Sequence, residues 1–199
     1  MEKARIFLTG VGGQGTLTAT NLLAQTALEQ GIPVTSGEIH GMAQRGGVVV
    51  STVLLGGLLS PKIGLGEADI LIGFEPLETY RALEFLAPGG IVVSSTEAVP
   101  PVSVSLGKAE YPDITTIEHA IRNAASRAIM LPARTLGKKA GAVQSGNIAL
   151  LAAMLAADVL PFGVDALKAT IERNLNPKIA GVNLEAADLG AEAALASNA

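Results

Sequence analysis

The sequence predicts a three-layer α/β/α fold built on a mainly parallel sheet. Three observations carry that prediction. Short runs of Val, Ile and Leu alternate, through residue 133, with segments whose Leu and Ala recur on a helical period. Strands alternating with helices are the pattern of a parallel sheet covered on both faces. The last third, 134–199, carries helical periodicity only, and reads as a helical extension, a cap or arm on the sheet core of 1–133. The length of 199 residues suits a single domain, and no Pro-, Gly- or Ser-rich linker divides it.

Each element has a local reason. Residues 4–9 form a short apolar run that ends at Gly10, the mark of a buried first strand. Gly10-Val11-Gly12-Gly13-Gln14-Gly15 follows and opens a helix over 16–30, with Leu17, Leu22, Leu23, Ala27 and Leu28 on a helical period and Gly31 as its stop. A second strand is expected at 33–35, then a polar, glycine-rich loop over 36–47. The β-branched run 48–55 is a third strand, turned by Gly56-Gly57. A fourth strand spans 68–74, a helix 77–86, a turn Pro88-Gly89-Gly90, and a fifth strand 91–95. The stretch 96–113 holds Pro100, Pro101 and Pro112 and reads as irregular. Then come a helix at 114–125, a sixth strand at 128–132, and helices at 134–140, 146–160, 164–174 and 179–196.

Composition excludes several functions. The net charge is −4 and no Lys/Arg run occurs, so nucleic acid is not an expected partner. The most apolar windows, 48–59 and 148–157, are shorter than the roughly 18–20 residues that span a bilayer. The apolar run at 6–9 is too short for a signal peptide, and a cytoplasmic protein is expected. There is no Cys, which removes thiolate-ligated iron–sulfur clusters, Cys-ligated zinc and a Cys nucleophile from this chain. Hydrophobic residues make up 49% with only 3% aromatics, which asks for either Ala- and Gly-rich close packing or a large interface with a partner.

Two motifs carry the candidate chemistry. Gly10, Gly12 and Gly15 fit G-x-G-x-x-G, with Gly13 as a fourth glycine, between a strand and a helix. Such a loop lets backbone approach a ligand, and the N–H groups at the helix start attract an anion such as phosphate. This makes the fold Rossmann-like. Glu38 lies 23 residues beyond Gly15, where a ribose-holding acid would stand in a dinucleotide fold. A stand-alone NAD- or FAD-binding oxidoreductase is therefore the alternative. The second motif is Glu38-Ile39-His40-Gly41-Met42-Ala43-Gln44-Arg45-Gly46-Gly47. Arg45 suits a carboxylate or phosphate, His40 can donate or move a proton near neutral pH, Gln44 can read a polar group, and Gly46-Gly47 permit close approach. Met42 and Gln144-Ser145-Gly146-Asn147 are softer candidates. No ligand set for a metal is in view.

The glycine loop together with Ser36-Gly37-Glu38-Ile39-His40-Gly41-Met42-Ala43-Gln44-Arg45-Gly46-Gly47 resembles the 2-oxoacid:ferredoxin oxidoreductase family, in its gamma subunit or domain. The His-Gly-Met-Ala-Gln-Arg-Gly-Gly version is similar to the indolepyruvate branch, where this piece is the beta subunit. The resemblance continues through Glu75-Pro76-Leu77-Glu78, Pro88-Gly89-Gly90 and Tyr111-Pro112 to Asn183-Leu184-Glu185-Ala186-Ala187. It implies one subunit, inactive alone, of an enzyme that oxidatively decarboxylates a 2-oxoacid with coenzyme A to acyl-CoA, carbon dioxide and reduced ferredoxin. It implies that thiamine diphosphate, Mg2+ and the [4Fe–4S] clusters sit on the partner subunit, which also meets ferredoxin. His40, Gln44 and Arg45 would then assist the partner's active site. Gly10, Gly12, Gly13, Gln14, Gly15, Glu38, Met42, Gly46 and Gly47 would touch a phosphate or the partner. In isolation the chain is expected to form a homodimer through its uncovered apolar surface.

Overall fold

The computed structural model describes residues 3–40, 47–100, 104 and 106–196. Its elements are β1 (Ala4–Val11), α1 (Thr16–Glu29), β2 (Val34–His40), β3 (Val48–Leu55), β4 (Ala68–Gly73), α2 (Pro76–Arg81), β5 (Leu86–Ser95), α3 (Ile114–Ala124), β6 (Arg127–Leu131), α4 (Ala133–Ala140), α5 (Gly146–Leu155), α6 (Val164–Asn174) and α7 (Pro177–Ala196). The sheet has six strands in the order β2-β3-β1-β4-β5-β6. β1, β4, β5 and β6 are parallel neighbours, whereas β3 runs antiparallel to both β1 and β2.

The sheet is covered on both faces because its strands alternate. Ile6 and Leu8 of β1 join one core cluster while Phe7 joins the other; Ile70 and Ile72 of β4 divide from Leu71 in the same way. The larger cluster packs α1, α5, α6 and α7, and the smaller packs α2 and α3. In α5 all ten residues are buried, so the helix is apolar all round and lies inside the larger layer. Gly190 of α7 meets α5 so closely that a Cβ there would collide with the carbonyl of Ala149. The helices of the last third are thus laid against the sheet, and do not stand off it as a cap or arm. On the smaller face, α3 is capped by Asp113, whose carboxylate accepts the Thr116 N–H at 2.9 Å, and buries Ile117 and Ile121.

Several boundaries differ from those expected. The second strand does not stop at residue 35: Ser36, Gly37 and Glu38 pair with Val53, Thr52 and Ser51, so half of the expected polar loop is strand. The helix at 77–86 is shorter, because a 3-10 turn at Ala82–Phe85 follows α2 and Leu86 already pairs with Ala68. The turn Pro88-Gly89-Gly90 becomes a bulge inside β5: pairing jumps from Ala68–Leu86 to Ile70–Ile91, and Gly89 takes φ +80°. The helix at 146–160 ends at Leu155, short of Asp158, which adopts φ +56°.

Candidate functional site

The glycine loop sits where β1 and β4 end. Because β3 is reversed, its first residue, Val48, pairs with Val11, the last of β1. The end of β2 and the start of β3 therefore reach the same edge. The Gly12 N–H donates to the Gly47 carbonyl at 2.9 Å and ties the loop to that edge. Gln14 turns its amide inward: its oxygen accepts the Val11 N–H at 2.7 Å and its nitrogen donates to the Phe74 carbonyl at 2.9 Å. Phe74 in turn donates its N–H to the Thr9 carbonyl at 2.8 Å. Gly10 is needed for this clamp, since a Cβ there would lie 2.7 Å from Gln14 Oε1 and 3.0 Å from the Phe74 Cβ. Gly15 has φ +77°, and Asn147 Nδ2 of α5 donates to its carbonyl at 3.0 Å.

Beside the loop lies a cavity of about 240 Å³, lined by Gly12, Gly13 and Gln14 from the loop, Phe74, Val99, Arg134 from the start of α4, and Gly146 and Asn147 from the start of α5. A cleft enclosing a drug-sized molecule has roughly 300–1,000 Å³, so this one admits an end of a ligand. Its electrostatics favour an anion. Helix N-termini carry partial positive charge, and α1, α4 and α5 all begin around it. Neither α1 nor α5 has a side-chain cap. Among the described residues the N–H groups of Gly13, Gly15, Thr16, Leu17 and Thr18 have no hydrogen-bond partner, and neither has the buried hydroxyl of Thr16. Arg134 makes no ion pair with a described carboxylate. Glu97 caps α4 by accepting the Thr135 N–H at 2.9 Å and hydroxyl at 2.7 Å. Gly146 lets α5 start directly against α4, since a Cβ there would collide with the Ala133 carbonyl.

The wall at Val99 is held from behind. Glu75 accepts the Val99 N–H at 3.2 Å and the Tyr111 hydroxyl at 2.5 Å with one oxygen, and caps α2 at the Glu78 N–H with the other, at 3.0 Å. Burial, then the hydrogen bond to Glu75, push the Tyr111 hydroxyl well above the usual phenol range. Glu78 is also buried, and burial holds its carboxyl above the usual carboxylate range against the pull of Arg81 at 2.8 Å.

The structure distributes the expected site residues unevenly. Gly12, Gly13 and Gln14 line the cavity, whereas Gly10 and Gly15 are positions of close packing. The loop does not present all its N–H groups: those of Gly12 and Gln14 are spent on Gly47 and Val11. Glu38 is exposed on the edge strand β2, and His40 is the last residue of that strand, paired with Val49. Gly47 is joined to Gly12. Met42, Gln44, Arg45 and Gly46 lie outside the described residues. The dinucleotide alternative fits poorly, because β3 separates β2 from β1 and puts Glu38 two strand spacings, roughly 10 Å, from the strand that bears the glycine loop. Arg134 was not expected in the site. Its signal is topological, since the residue after the sixth strand opens a helix at the same sheet edge as the glycine loop. Among the described residues no group of three or more His, Cys, Asp or Glu could hold a metal, and no helix is long and apolar enough to cross a membrane.

Comparison with known proteins agrees with the fold. The pyruvate ferredoxin/flavodoxin oxidoreductase family profile matches residues 5–193. The indolepyruvate oxidoreductase subunit IorB of Pyrococcus horikoshii is 38% identical over 199 residues, covering 98% of this chain and 97% of that one. The crystal structure of the keto/oxoacid ferredoxin oxidoreductase gamma subunit of Geobacter sulfurreducens has the same fold, with a TM-score of 0.69 at 21% identity, over 97% of this chain and 99% of that chain. So does part of the 2-oxoglutarate:ferredoxin oxidoreductase of Magnetococcus marinus, solved with 2-oxoglutarate, coenzyme A and succinyl-CoA bound. There the TM-score is 0.70 at 19% identity, over 98% of this chain and 32% of that chain.

Proposed function

The chain belongs to the pyruvate ferredoxin/flavodoxin oxidoreductase family, and on that premise we propose that it is the subunit of a 2-oxoacid:ferredoxin oxidoreductase that bears no redox cofactor, acting on indolepyruvate and related aryl pyruvates. The whole chain serves as one gamma-type domain, with 134–199 as its helical part. The reaction consumes a 2-oxoacid, coenzyme A and two oxidised ferredoxins. It yields acyl-CoA, carbon dioxide, two reduced ferredoxins and a proton. The similarity to IorB over nearly the full length of both chains supports the substrate class.

The observation that carries this chain's own role is the cavity where the glycine loop, the starts of α4 and α5, and Arg134 converge. A phosphate of coenzyme A fits that donor set: N–H groups and a guanidinium, with no described carboxylate lining the space. Gly13 approaches the phosphate with backbone, Arg134 neutralises it, and Asn147 holds the loop in shape. The role of Glu38, His40, Met42, Gln44, Arg45, Gly46 and Gly47 is contact with the cofactor-bearing subunit, whose active site His40, Gln44 and Arg45 assist. Thiamine diphosphate with Mg2+ and the [4Fe–4S] clusters belong to that subunit, which passes electrons to ferredoxin; the lack of Cys in this chain supports that place for the clusters. The complex is cytoplasmic. Alone, the chain is inactive and pairs with a second copy.

Affinity purification of the tagged chain from its native host tests the reading. The expected result is a partner containing iron, sulfide and thiamine, with coenzyme A-dependent reduction of ferredoxin by aryl pyruvates. A chain that purifies without such a partner, or a complex that ignores coenzyme A, overturns it. Tight binding of NAD or FAD by the isolated chain would instead favour the dinucleotide alternative.

A further inference from the structure

Glu75 and Tyr111 stand behind the cavity. Glu75 is fully buried, and only one of its oxygens is needed to cap α2. The other takes the Tyr111 hydroxyl and the Val99 N–H, and the Tyr111 hydroxyl also accepts the Leu77 N–H at 3.2 Å. A buried carboxylate is an expensive cap for a six-residue helix, which a solvated Asp or Ser could serve as well. Tyr111, brought in from 36 residues away, meets the oxygen that holds Val99. The preceding residue, Phe74, lines the same cavity and is bonded to Gln14 of the glycine loop. One dipeptide therefore joins two walls: Phe74 carries the loop and Glu75 carries Val99. The strand end before Val99 is fixed independently, by the Thr96 N–H on the Leu131 carbonyl at 3.0 Å and by Glu97 on Thr135, the neighbour of Arg134.

We propose that Glu75 and Tyr111 are positioning residues of the cavity, which hold Val99 at a fixed spacing from the glycine loop and so set how tightly a phosphate-bearing co-substrate is bound. The proposal rests on the reading that this cavity takes coenzyme A. Neither residue touches the ligand; both act through the wall.

Steady-state kinetics of the assembled enzyme test this with Tyr111→Phe, which keeps the ring and deletes the hydroxyl. KM for coenzyme A should rise about fivefold, the scale of one hydrogen bond to a charged group passed on in part. At saturating coenzyme A, kcat should stay within about twofold, because an interaction common to ground and transition states is what is lost. KM for the 2-oxoacid should not move. Val99→Ala keeps the N–H bonded to Glu75 but removes the side chain that lines the cavity, so it should raise KM for coenzyme A similarly. Tyr111→Phe should add nothing in that background, since the spacing of a wall that no longer reaches the ligand has no effect. Glu75→Gln supplies the second route if Tyr111→Phe does not assemble, and should show the same split. Arg134→Ala separates the two readings. If it raises KM for coenzyme A while Tyr111→Phe and Glu75→Gln do not, the positioning role falls and the coenzyme A site stands. If Arg134→Ala leaves that KM unchanged, both fall. Equal loss of kcat and of both KM values in Tyr111→Phe would mark general damage and also overturn the proposal.

Discussion

The two faces of the sheet are built from different materials. On the larger face α5 buries ten consecutive residues, and α7 approaches it through Gly190 until backbone meets backbone. On the smaller face Phe7 stacks on Phe85 with centroids 4.6 Å apart, and Ile117 and Ile121 share one apolar cluster with Leu71 and Val92. That smaller layer also admits two buried carboxylates, Glu75 and Glu78. The first face puts its burial into hydrocarbon, which stabilises without direction. The second accepts the cost of burying polar groups, and Glu75 gains directed bonds from the Val99 and Glu78 N–H groups and the Tyr111 hydroxyl. The larger side thus supplies most of the hydrocarbon together with the starts of α4 and α5, while the bonds behind the Val99 wall come from the smaller side.

Substitutions can test that division. The largest effect is expected from Leu151→Ala in α5, which should lower the unfolding free energy of the chain by about 3 kcal/mol, read from urea denaturation; a loss under about 1 kcal/mol would show that the larger face is not the main source of stability. Gly15→Ala should come next. The left-handed backbone and the contact with Asn147 make even a methyl group costly, about 1–2 kcal/mol, and binding of coenzyme A to the assembled enzyme should weaken in calorimetry. Arg134→Ala should separate function from stability most cleanly, with a change in unfolding free energy within about 0.5 kcal/mol and roughly a tenfold rise in KM for coenzyme A from the lost charge-assisted bond.

The smallest effects should appear in the dependence of stability on pH, with opposite signs for two glutamates. Glu29, at the end of α1, is held down to about 2, first by the Thr170 hydroxyl and then by Arg173 and Asn174. Its contribution is present above the ordinary glutamate range and is lost as pH falls towards about 2. Glu78 is raised by burial. The folded state therefore holds its proton more firmly than the unfolded one, so its contribution is complete below the ordinary range and is lost as pH rises through the raised value. Denaturation curves across pH should show Glu29→Gln losing its deficit against wild type in acid. Glu78→Gln should flatten the decline on the alkaline side of the glutamate range. The same sign for both would break the contrast between a solvent-facing tie on the large layer and a desolvated group on the small one.

What the sequence made legible was whatever has a local cause. The helix at 164–174 is found with its own limits because Gly163 precedes it, and Leu167 and Ile171 lie one turn apart. The glycine loop between strand and helix is equally local. Ser36-Gly37-Glu38 has poor strand propensity and becomes strand only because β3 offers a ladder beside it. Nothing in the valines of 48–55 states that β3 runs backwards. Within the site the same limit holds. Glu75 caps the start of α2. Its second oxygen, however, serves Val99 and Tyr111, 24 and 36 residues away, which no spacing reveals. Arg134 is a lone basic residue between Ala133 and Thr135 until the topology brings the start of α4 to the glycine loop. A good part of the apolar excess belongs to α5, where close packing of Ala and Leu uses it.

The reversed strand β3 also bears on how such a chain can diversify. Parallel neighbours need a crossover of a dozen or more residues, usually a helix, between them, whereas antiparallel neighbours do not. Residues 34–55 therefore make a hairpin whose replacement would leave the β1-β4-β5-β6 order, and the starts of α4 and α5, where they are. The hairpin meets the glycine loop through the end of the β1–β3 ladder, where Val48 and Val49 pair with Val11 and Gly10, and through the bond from the Gly12 N–H to the Gly47 carbonyl. The cradle and the rim beside it are thus carried by different stretches of chain, stitched together along the β1–β3 ladder.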